Sequence, residues 1–373
     1  MIQGKKILVV TTTDNMIWQF LLPHIEDLKA NGNTVECACN ETGFWFKEME
    51  KGGLKLHKID FPRNPLSTKL FKAKKQLCNL VKNNHYDLII CHQPVGGVMG
   101  RIVGHKYHIP VIYVAHGFHF FKGCPKKNLL YKAIEKHYSR YTDALVTMNE
   151  EDYQSALKFK AKRVYKINGI GVDLSKYHWD ERLDYNKKRC ELGVADEDFA
   201  VICVAEFIKR KNIIALIKAV ELLKDYNIKL VLCGSGKMQQ ELEQYVKVKG
   251  LQDRVKFAGY RKDISKCIQV CDCLALSSYH EGLPRCIMEA MALGKPVVAS
   301  NVRGSRDLID NAGGILVSVD DVVGYKNAIL TLSQDSAMRE TFSNRNMEAI
   351  KQYSLENVLQ QMKKIYEEIE FCD

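Results

Sequence analysis

Residues Ser277–Asp307 read SSYHEGLPRCIMEAMALGKPVVASNVRGSRD, and the organisation of the chain follows from them. The residues just before them, Cys273–Leu276, form an apolar run with the length of a buried strand. Gly294 and Pro296 are typical of the end of a helix. The stretch therefore predicts a strand, a turn and a helix from about Pro284 to Leu293, which is a building unit of alternating α/β folds.

Two glutamates of this stretch are placed to accept hydrogen bonds from hydroxyl groups. Glu281 lies in the predicted turn and Glu289 follows about two helical turns later, so both carboxylates face a similar side of the helix. The amides between them, at about residues 283–287, have no intrahelical acceptors and favour an anion. An anion flanked by two carboxylates that bind vicinal hydroxyls is the layout that a nucleotide-diphosphate sugar requires.

The spacing of the two glutamates, with the Gly and Pro residues around them, resembles the signature of the family-4 retaining glycosyltransferases. This resemblance implies that Glu281 contacts hydroxyls of the donor sugar and that Glu289 contacts the ribose. Gly282, Leu283 and Pro284 are then expected to line the donor site. It also implies the α/β GT-B fold, in which two Rossmann-like parallel-sheet domains face each other across a cleft and a C-terminal helix crosses back to the first domain.

Strand-like and helix-like segments alternate along the rest of the chain, which predicts parallel sheets. Strands are predicted at 6–10, 34–38, 54–59, 86–91, 110–115, 199–205 and 228–233, and helices near 42–51, 67–83, 95–107, 213–223 and 237–249. A chain of 373 residues exceeds the size of a single core, so we expect two domains. Their ranges are 1–172 for an acceptor-binding domain, 173–352 for a nucleotide-sugar-binding domain, and 353–373 for a helix that packs back on the first.

The net charge of +11 is concentrated in the first predicted domain. Residues 1–172 contain 26 Lys and Arg against 14 Asp and Glu, an excess of 12. A one-sided basic surface favours a nucleic acid or an anionic membrane, and because no nucleic-acid motif accompanies it we expect a membrane. The lysines of the predicted helix over 67–83 fit either a solvated face or such attraction.

No apolar run approaches the length of a membrane span, and the first residues lead directly into a strand, so we expect no transmembrane helix and no signal peptide. The odd number of cysteines, 13, and their place in apolar runs favour a reducing compartment. We therefore expect a cytoplasmic protein, peripheral at the inner face of the cell membrane.

Neither of two metal-like patterns predicts a metal site. Cys267, Cys271 and Cys273 lack a second pair at zinc-ribbon spacing. Asp196 and Asp198 have the Asp-x-Asp spacing of metal-dependent glycosyltransferases, but they precede a strand and so lie away from the ligand edge of the sheet. We expect no metal and no cofactor, with the nucleotide-diphosphate sugar as substrate.

The segment 116–127, HGFHFFKGCPKK, follows a predicted strand in the first domain, where such sheets place ligands. Its phenylalanines and lysines lie in a loop bounded by Gly and Pro and are not expected to be core. Phe118, His119, Phe120 and Lys122 are therefore candidates for contact with the acceptor or the membrane. The region resembles the exopolysaccharide and capsule branch of the same family, which implies that His116 is the histidine near the donor's anomeric centre.

Cations cluster at the start of the predicted helix over 213–223, where they oppose the helix dipole unless an anion binds there. Lys211 matches a lysine of the family motif, which implies a contact to the diphosphate, and Arg210 is expected to assist it. The Gly-Arg pair that usually precedes this lysine is Ala205-Glu206 here, so the role of Glu206 is open. Three further donor-binding candidates in this domain are Gly234, Gly236 and Arg261.

The resemblance implies a retaining glycosyltransferase that uses a lipid-linked glycan acceptor in bacterial surface polysaccharide synthesis. The nucleotide, the sugar and the linkage stay open. One alternative is a GT-B-fold nucleotide-sugar epimerase, which would release epimerised sugar nucleotide without acceptor. The other is a non-catalytic nucleotide-sugar-binding subunit of a polysaccharide assembly complex.

Overall fold

The computed structural model describes residues 2–62, 64, 67–310 and 312–371. The chain divides into two compact units, one of Met1–Gly171 with Glu356–Asp373 and one of Val172–Leu355. Each unit contains one all-parallel sheet, so the predicted architecture of two Rossmann-like domains is confirmed. The acceptor-binding and donor-binding roles of the two units stay predictions, and residues 372 and 373 of the predicted C-terminal segment lie outside the described residues.

The first unit is built on seven strands in the order β3-β2-β1-β4-β5-β6-β7. The strands are β1 Lys6–Thr13, β2 Thr34–Asn40, β3 Lys55–Lys58, β4 Leu88–His92, β5 Val111–Val114, β6 Ala144–Thr147 and β7 Arg163–Lys166. Most of β1, β4 and β5 is buried, as expected for a sheet covered on both faces. The order reverses between β1 and β4, and the carboxyl ends of strands at such a point are the usual ligand site.

The helices of the first unit cover both faces of this sheet. They are α1 Asp14–Met16, α2 Leu22–Ala30, α3 Phe44–Lys51, α4 Lys69–Asn84, α5 Pro94–Tyr107, α6 Leu129–Tyr138 and α7 Glu150–Ala156, with a π-helical turn at Ile17–Leu21 and 3-10 turns at Lys126–Asn128 and Ser139–Tyr141. Helix α5 lies very close to the sheet because glycines occupy the face of the helix that contacts the strands. A Cβ atom on Gly97 would lie 2.3 Å from the ring of Tyr113, and one on Gly104 would lie 2.2 Å from Val111.

A buried ion pair joins α5 to α6. Arg101 is fully buried and its Nη2 lies 2.8 Å from Oε2 of Glu135. Tyr113 donates a hydrogen bond to the other oxygen of Glu135 at 3.1 Å, and the guanidinium of Arg101 lies over the Tyr113 ring at 4.1 Å. Breaking a buried pair costs about 3–5 kcal/mol, so this cluster fixes α6 on the sheet.

The second unit has six strands in the order β10-β9-β8-β11-β12-β13. The strands are β8 Phe199–Val204, β9 Ile228–Cys233, β10 Val255–Gly259, β11 Cys273–Leu276, β12 Val297–Ser300 and β13 Gly314–Val317. The helices are α8 Tyr185–Glu191, α9 Ile213–Glu221, α10 Gln239–Val248, α11 Ile264–Gln269, α12 Arg285–Ala292, α13 Ser305–Leu308, α14 Val322–Gln334 and α15 Ser336–Ala349, with 3-10 turns at Lys209–Lys211 and Ile350–Tyr353. Its strand order reverses between β8 and β11.

The strands and helices that the sequence predicted are present, with shifted ends. The strand predicted over 6–10 extends to Thr13, the helix predicted over 67–83 spans Lys69–Asn84, and the helix predicted over 284–293 spans Arg285–Ala292. The last helix, α16 Leu355–Glu367, contributes Gln361, whose side chain accepts a hydrogen bond from the amide of Asn168. No helix within the described part of the chain has the length and apolar character needed to cross a membrane.

Candidate functional site

In the second unit, two loops meet because β8 and β11 are neighbours in the sheet. The turn after β8 contains Lys209–Lys211, and the loop after β11 contains Ser277–Pro284. Several hydrogen bonds join them: the hydroxyl of Ser277 donates to the carbonyl of Asn212 at 2.8 Å, and the amide of Tyr279 donates to the carbonyl of Arg210 at 2.9 Å. The strand order thus brings the predicted cations and the predicted glutamate to one place.

Glu281 is the centre of an ion cluster. Its Oε1 lies 2.6 Å from Nζ of Lys211, and its Oε2 lies 3.3 Å from Nη1 of Arg210. Only 7% of Glu281 is exposed. Arg210 also donates from Nη1 to the carbonyl of His280 at 2.9 Å, which fixes its guanidinium beside the loop. Two cations face one carboxylate, so the cluster carries an excess positive charge.

The charge state of Glu281 follows from this arrangement. Burial raises the pKa of Glu281, but the charges of Lys211 and Arg210 and their contacts outweigh burial and hold the pKa below its ordinary value. Glu281 is therefore ionised at neutral pH. The sequence predicted an anion beside the cations that precede α9. In the protein itself that anion is the Glu281 carboxylate, and the sequence did not predict this ion pair.

The segment after β12 contacts the loop around Glu281 and holds it in place. Arg303, which is 3% exposed, donates from Nε to the carbonyl of Glu281 at 3.1 Å. Gly304 approaches so closely that a Cβ there would lie 2.5 Å from the carbonyl oxygen of Gly282. Asp307 accepts a hydrogen bond from the amide of Gly304 at 2.9 Å, so its role, which the sequence left open, includes capping α13.

The start of α12 lies directly after this loop. Pro284 is the N-terminal cap residue, and its carbonyl accepts a hydrogen bond from the amide of Ile287 at 3.1 Å. Leu283 packs against the apolar core of the unit. The helix dipole adds partial positive charge at this end, next to the cluster of Lys211 and Arg210. The predicted anion site therefore has its positive groups gathered at the carboxyl ends of β8 and β11.

Glu289 lies further along α12 and is 6% exposed. Its Oε1 accepts a hydrogen bond from the hydroxyl of Tyr177 at 2.6 Å and lies 2.8 Å from Nε of Arg285. Burial raises the pKa of Glu289, and Arg285 and Tyr177 offset only part of that rise. Nothing in the sequence pattern identified Tyr177, because it lies in an irregular segment more than a hundred residues from Glu289 along the chain.

Gly234 and Gly236 allow the turn after β9 to lie against the turn after β8. Gly234 has φ +144°, and a Cβ on it would lie 1.9 Å from the carbonyl oxygen of Ala205. A Cβ on Gly236 would lie 2.5 Å from the carbonyl oxygen of Phe207. The two glycines therefore support the Lys209–Lys211 turn, and their part in donor binding stays a prediction.

The remaining candidates of the second unit lie outside the Glu281 cluster. The guanidinium of Arg261 is held by two carboxylates, at 2.8 Å from Asp263 and 2.5 Å from Glu191. Glu206 is exposed in the turn after β8. Donor binding by Arg261 stays a prediction. In the structure its guanidinium is paired with the carboxylates of Asp263 and Glu191.

In the first unit, His116 follows β5 and meets His92 at the end of β4. Nε2 of His116 lies 3.0 Å from Nδ1 of His92, so one ring donates a hydrogen bond to the other. His24, His92 and His116 all line one apolar cavity, and Nε2 of His24 lies 2.8 Å from the carbonyl oxygen of Ile170. Burial lowers the pKa of His116 to about 3, and the pKa values of His92 and His24 are also lowered, first by burial. All three imidazoles are neutral at physiological pH.

Because these histidines are buried and neutral, we expect the free energy of unfolding to fall as the pH is lowered. The unfolded imidazole of His116 takes up a proton below about pH 6.5, whereas the folded one stays neutral to about pH 3, so its contribution is full above pH 6.5 and declines as the pH falls. Between pH 7 and pH 5 we expect wild type to lose about 2 kcal/mol more unfolding free energy than His116→Asn. Denaturant unfolding at the two pH values measures this, with exposed His105→Asn as the control. An identical pH dependence in all three proteins would contradict it.

In the loop after His116, the expectation that the phenylalanines lie outside the core was wrong. Phe118 and Phe120 were expected outside the core, but they are 3% and 4% exposed, stack at 4.7 Å between ring centroids and pack near Phe159. The amide of Phe118 donates to Asp152 at 3.0 Å and that of Lys122 to Glu151 at 2.7 Å, so the start of α7 pins the loop. The rings turn inward because burying them is favourable by about 2 kcal/mol each.

Of the four loop candidates, His119 and Lys122 are exposed, so these two stay candidates for acceptor or membrane contact. Phe118 and Phe120 act as supports of the loop. Across the described residues, no group of three or more His, Cys, Asp or Glu side chains is placed to hold a metal ion. Cys267, Cys271 and Cys273 are fully buried thiols.

Comparison with known families gives two matches that together cover most of the chain. The family model described as "Glycosyl transferases group 1" matches residues 184–349, and the model described as "Glycosyl transferase 4-like" matches residues 6–149. The boundary between them falls near the boundary of the two compact units. Each unit is therefore similar to a glycosyltransferase family model.

Individual relatives agree with the family models. The chain is 32% identical over 377 residues to EpsD of Bacillus subtilis (strain 168), which is named as a glycosyltransferase, covering 97% of this chain and 96% of the relative. It is 26% identical over 315 residues to the UDP-Gal:alpha-D-GlcNAc-diphosphoundecaprenol alpha-1,3-galactosyltransferase of Escherichia coli, covering 82% and 81%. The fold is similar to that of HepE from Anabaena in complex with UDP-glucose, with a TM-score of 0.83 at 22% identity over 98% of this chain and 100% of that chain.

Proposed function

Because the chain belongs to the group 1 family of glycosyltransferases, we propose that it transfers a sugar from a nucleotide-diphosphate sugar to a hydroxyl group with retained anomeric configuration. The acceptor in this proposal is a lipid-linked glycan, and the product is part of a bacterial surface polysaccharide. The acceptor class is supported by the name of the Escherichia coli relative, which specifies a diphosphoundecaprenol acceptor. Retention is supported by the motif around Glu281 and Glu289.

One observation carries the donor part of the proposal. Lys211 and Arg210 face the single carboxylate of Glu281 at the switch point of the second sheet, beside the start of α12. Crevices at such points are the usual nucleotide sites of parallel sheets. The excess positive charge and the helix dipole suit a diphosphate, while the buried carboxylates of Glu281 and Glu289 suit the hydroxyls of the sugar and the ribose.

The chemistry requires stabilisation of the leaving nucleotide diphosphate, on which negative charge develops as the bond to the sugar breaks. Groups that are already in place for that charge give the largest catalytic effect. Lys211 is such a group, because its bond to Glu281 and the loop contacts hold it before a donor arrives. Arg210 is held in the same way through the carbonyl of His280.

His116 is the proposed catalytic residue of the first unit, and its protonation state limits its role. Because its imidazole is neutral, it can donate or accept a hydrogen bond but does not supply a full positive charge. The bond to His92 uses Nε2 and leaves Nδ1 for other partners. We propose no metal and no cofactor for the reaction, since Lys211, Arg210 and the helix dipole supply the positive charge that a metal would otherwise bring.

A lipid-linked acceptor requires the enzyme to work at a membrane, and the first unit has a surface that fits this. Phe71 on α4 is 80% exposed among exposed lysines, and Leu129 and Leu130 at the start of α6 are 56% and 52% exposed next to Lys126 and Lys127. Both helices pack against α5. Apolar side chains among lysines are suited to an anionic membrane surface, with about 1 kcal/mol for each lysine near the lipid. We propose a peripheral position at the inner face of the cell membrane.

The experiment that tests the donor part is a thermal-shift panel of UDP-, GDP- and ADP-sugars on wild type and Glu289→Ala. A ligand at about a hundredfold excess over its Kd stabilises the folded state by about 2.7 kcal/mol. We expect one nucleotide class to raise the melting temperature of wild type and to have little effect on Glu289→Ala. Glu243→Ala, which removes an exposed carboxylate on α10, is the matched control and should respond like wild type.

Incubating the selected donor with a diphosphoundecaprenol-linked sugar in vesicles then tests transfer. We expect a product that keeps the anomeric configuration of the donor and forms faster on anionic than on neutral vesicles, with the difference reduced in Phe71→Ser. Epimerised sugar nucleotide formed without acceptor would replace the proposal by an epimerase. Absence of a thermal shift with every donor, in a folded sample, would overturn the donor site.

A further inference from the structure

Two groups converge on the same oxygen of Glu289. The hydroxyl of Tyr177 lies 2.6 Å from Oε1, and Nε of Arg285 lies 2.8 Å from that same atom. An ionised carboxylate only accepts hydrogen bonds, so the direction is fixed and Tyr177 donates. No hydrogen bond to Oε2 is seen among the described residues. The Tyr177 hydroxyl therefore holds the carboxylate through Oε1, with the Arg285 guanidinium beside it, and Oε2 is the oxygen placed to accept from a ligand.

Tyr177 is itself held in place. It lies in the irregular segment between Val172 and α8, and its ring packs against the apolar core cluster that includes Ile287 and Met291 of α12. The bond therefore joins this segment to the helix that contains Glu289. Charge-assisted hydrogen bonds of this kind are short and about twice as strong as neutral ones, so the orientation of the carboxylate is well defined.

We propose that Tyr177 is a positioning residue that orients Glu289 so that its second oxygen accepts hydrogen bonds from the vicinal hydroxyls of a ribonucleotide. This inference rests on the proposed function, since it concerns the donor site of the same unit. A carboxylate oxygen with two lone pairs can accept from both hydroxyls of a ribose, but a 2′-deoxyribose offers only one. Tyr177 would then contribute to the selection of ribonucleotides.

The same contacts give the site a pH dependence. The groups that face Glu289 are Tyr177, Arg285 and the neutral thiol of Cys286, whose pKa burial raises. Burial raises the pKa of Glu289, and loss of the Tyr177 hydroxyl removes a donor that favours the ionised form, so the pKa rises further in Tyr177→Phe. A protonated carboxyl accepts fewer hydrogen bonds. The acid limb of nucleotide binding should therefore move to higher pH in the variant.

The test measures the binding of UDP, GDP and ADP, and of their 2′-deoxy counterparts, by calorimetry between pH 5 and pH 8. For the nucleotide that wild type binds, we expect Tyr177→Phe to raise Kd about tenfold, to narrow the preference for the ribose form, and to shift the acid limb upward by about one pH unit. In transfer assays, KM for the donor should rise while kcat changes little. In Glu289→Gln the acid limb should keep only the part that comes from the nucleotide's own terminal phosphate, which titrates at about pH 6.

The matched control is Tyr245→Phe. Its hydroxyl donates to Glu221 at 2.7 Å, so the same kind of bond is lost within the same unit but away from α12. A purely structural role of Tyr177 would lower the melting temperature of both variants and leave nucleotide affinity, ribose preference and the acid limb unchanged, which would overturn the inference alone. Failure of wild type to bind any of the three nucleotides would overturn the proposed function and this inference with it.

Discussion

Replacing Lys211 by methionine is expected to lower kcat for sugar transfer by about 10²- to 10³-fold, the cost of removing one preorganised group from a developing oxyanion. The same change should destabilise the second unit by about 3 kcal/mol, because it removes the nearer of the two cations that face the buried carboxylate of Glu281, Lys211 at 2.6 Å and Arg210 at 3.3 Å. Initial-rate kinetics and denaturant unfolding measure the two effects. Met keeps most of the length of the Lys side chain, so packing is little altered.

The two effects of Lys211→Met can be separated with a second variant. In Lys211→Met/Glu281→Gln the uncompensated carboxylate is gone, so stability should largely return while activity stays lost. Lys218→Met removes an exposed lysine from the same region, on α9, and should leave both quantities near wild type. Transfer by Lys211→Met within about threefold of wild type would contradict the role given to Lys211.

Replacing Gly234 by alanine is expected to destabilise the second unit by more than about 3 kcal/mol and to abolish transfer. The new Cβ would lie 1.9 Å from the carbonyl oxygen of Ala205, which is backbone and cannot rotate away. The main chain of the turn after β8 must therefore move, and that turn contains Lys211. Positive φ adds about 1–2 kcal/mol of strain for a residue with a side chain.

Gly250→Ala is the control that separates the steric clash of the new Cβ from the backbone strain of a positive φ. Gly250 also has positive φ, +65°, but a Cβ on it would meet nothing within 4 Å. This variant should lose about 1 kcal/mol of unfolding free energy and keep its activity. If Gly234→Ala were no less stable than Gly250→Ala, the close approach of the two turns would not be needed for the fold.

Local pattern was sufficient to predict β1 to β5 in the first sheet and β8, β9 and β11 in the second. The buried runs and amphipathic segments fix where strands and helices form, and a strand followed by a helix leaves its loop at the carboxyl end of the sheet. For this reason Lys211, Glu281 and His116 could be placed at ligand-facing edges before the fold was known. Elements with weak or short patterns, such as β6 and β7, have no counterpart among the predictions.

The wrong and missed predictions concern the direction in which loop side chains point and the residues with which they form contacts. Phe118 and Phe120 lie in a loop bounded by Gly and Pro, and such composition predicts exposure, but the rings turn inward once Asp152 and Glu151 hold the loop backbone. A single sequence gives no periodic signal in a loop, so the side chains' direction could not be inferred. The same holds for Tyr177, which no spacing rule connects to Glu289.

The sequence by itself therefore determined the fold class, the family motif and which residues follow the predicted strands, because these depend on neighbours along the chain. Tertiary structure alone decided which charges meet. Lys211 and Glu281 are separated by 70 positions and form a 2.6 Å bond only because β11 pairs with β8. Strand order is a property of the whole sheet, since it depends on how all crossovers pack together, and it is what turns separate charged residues into a site.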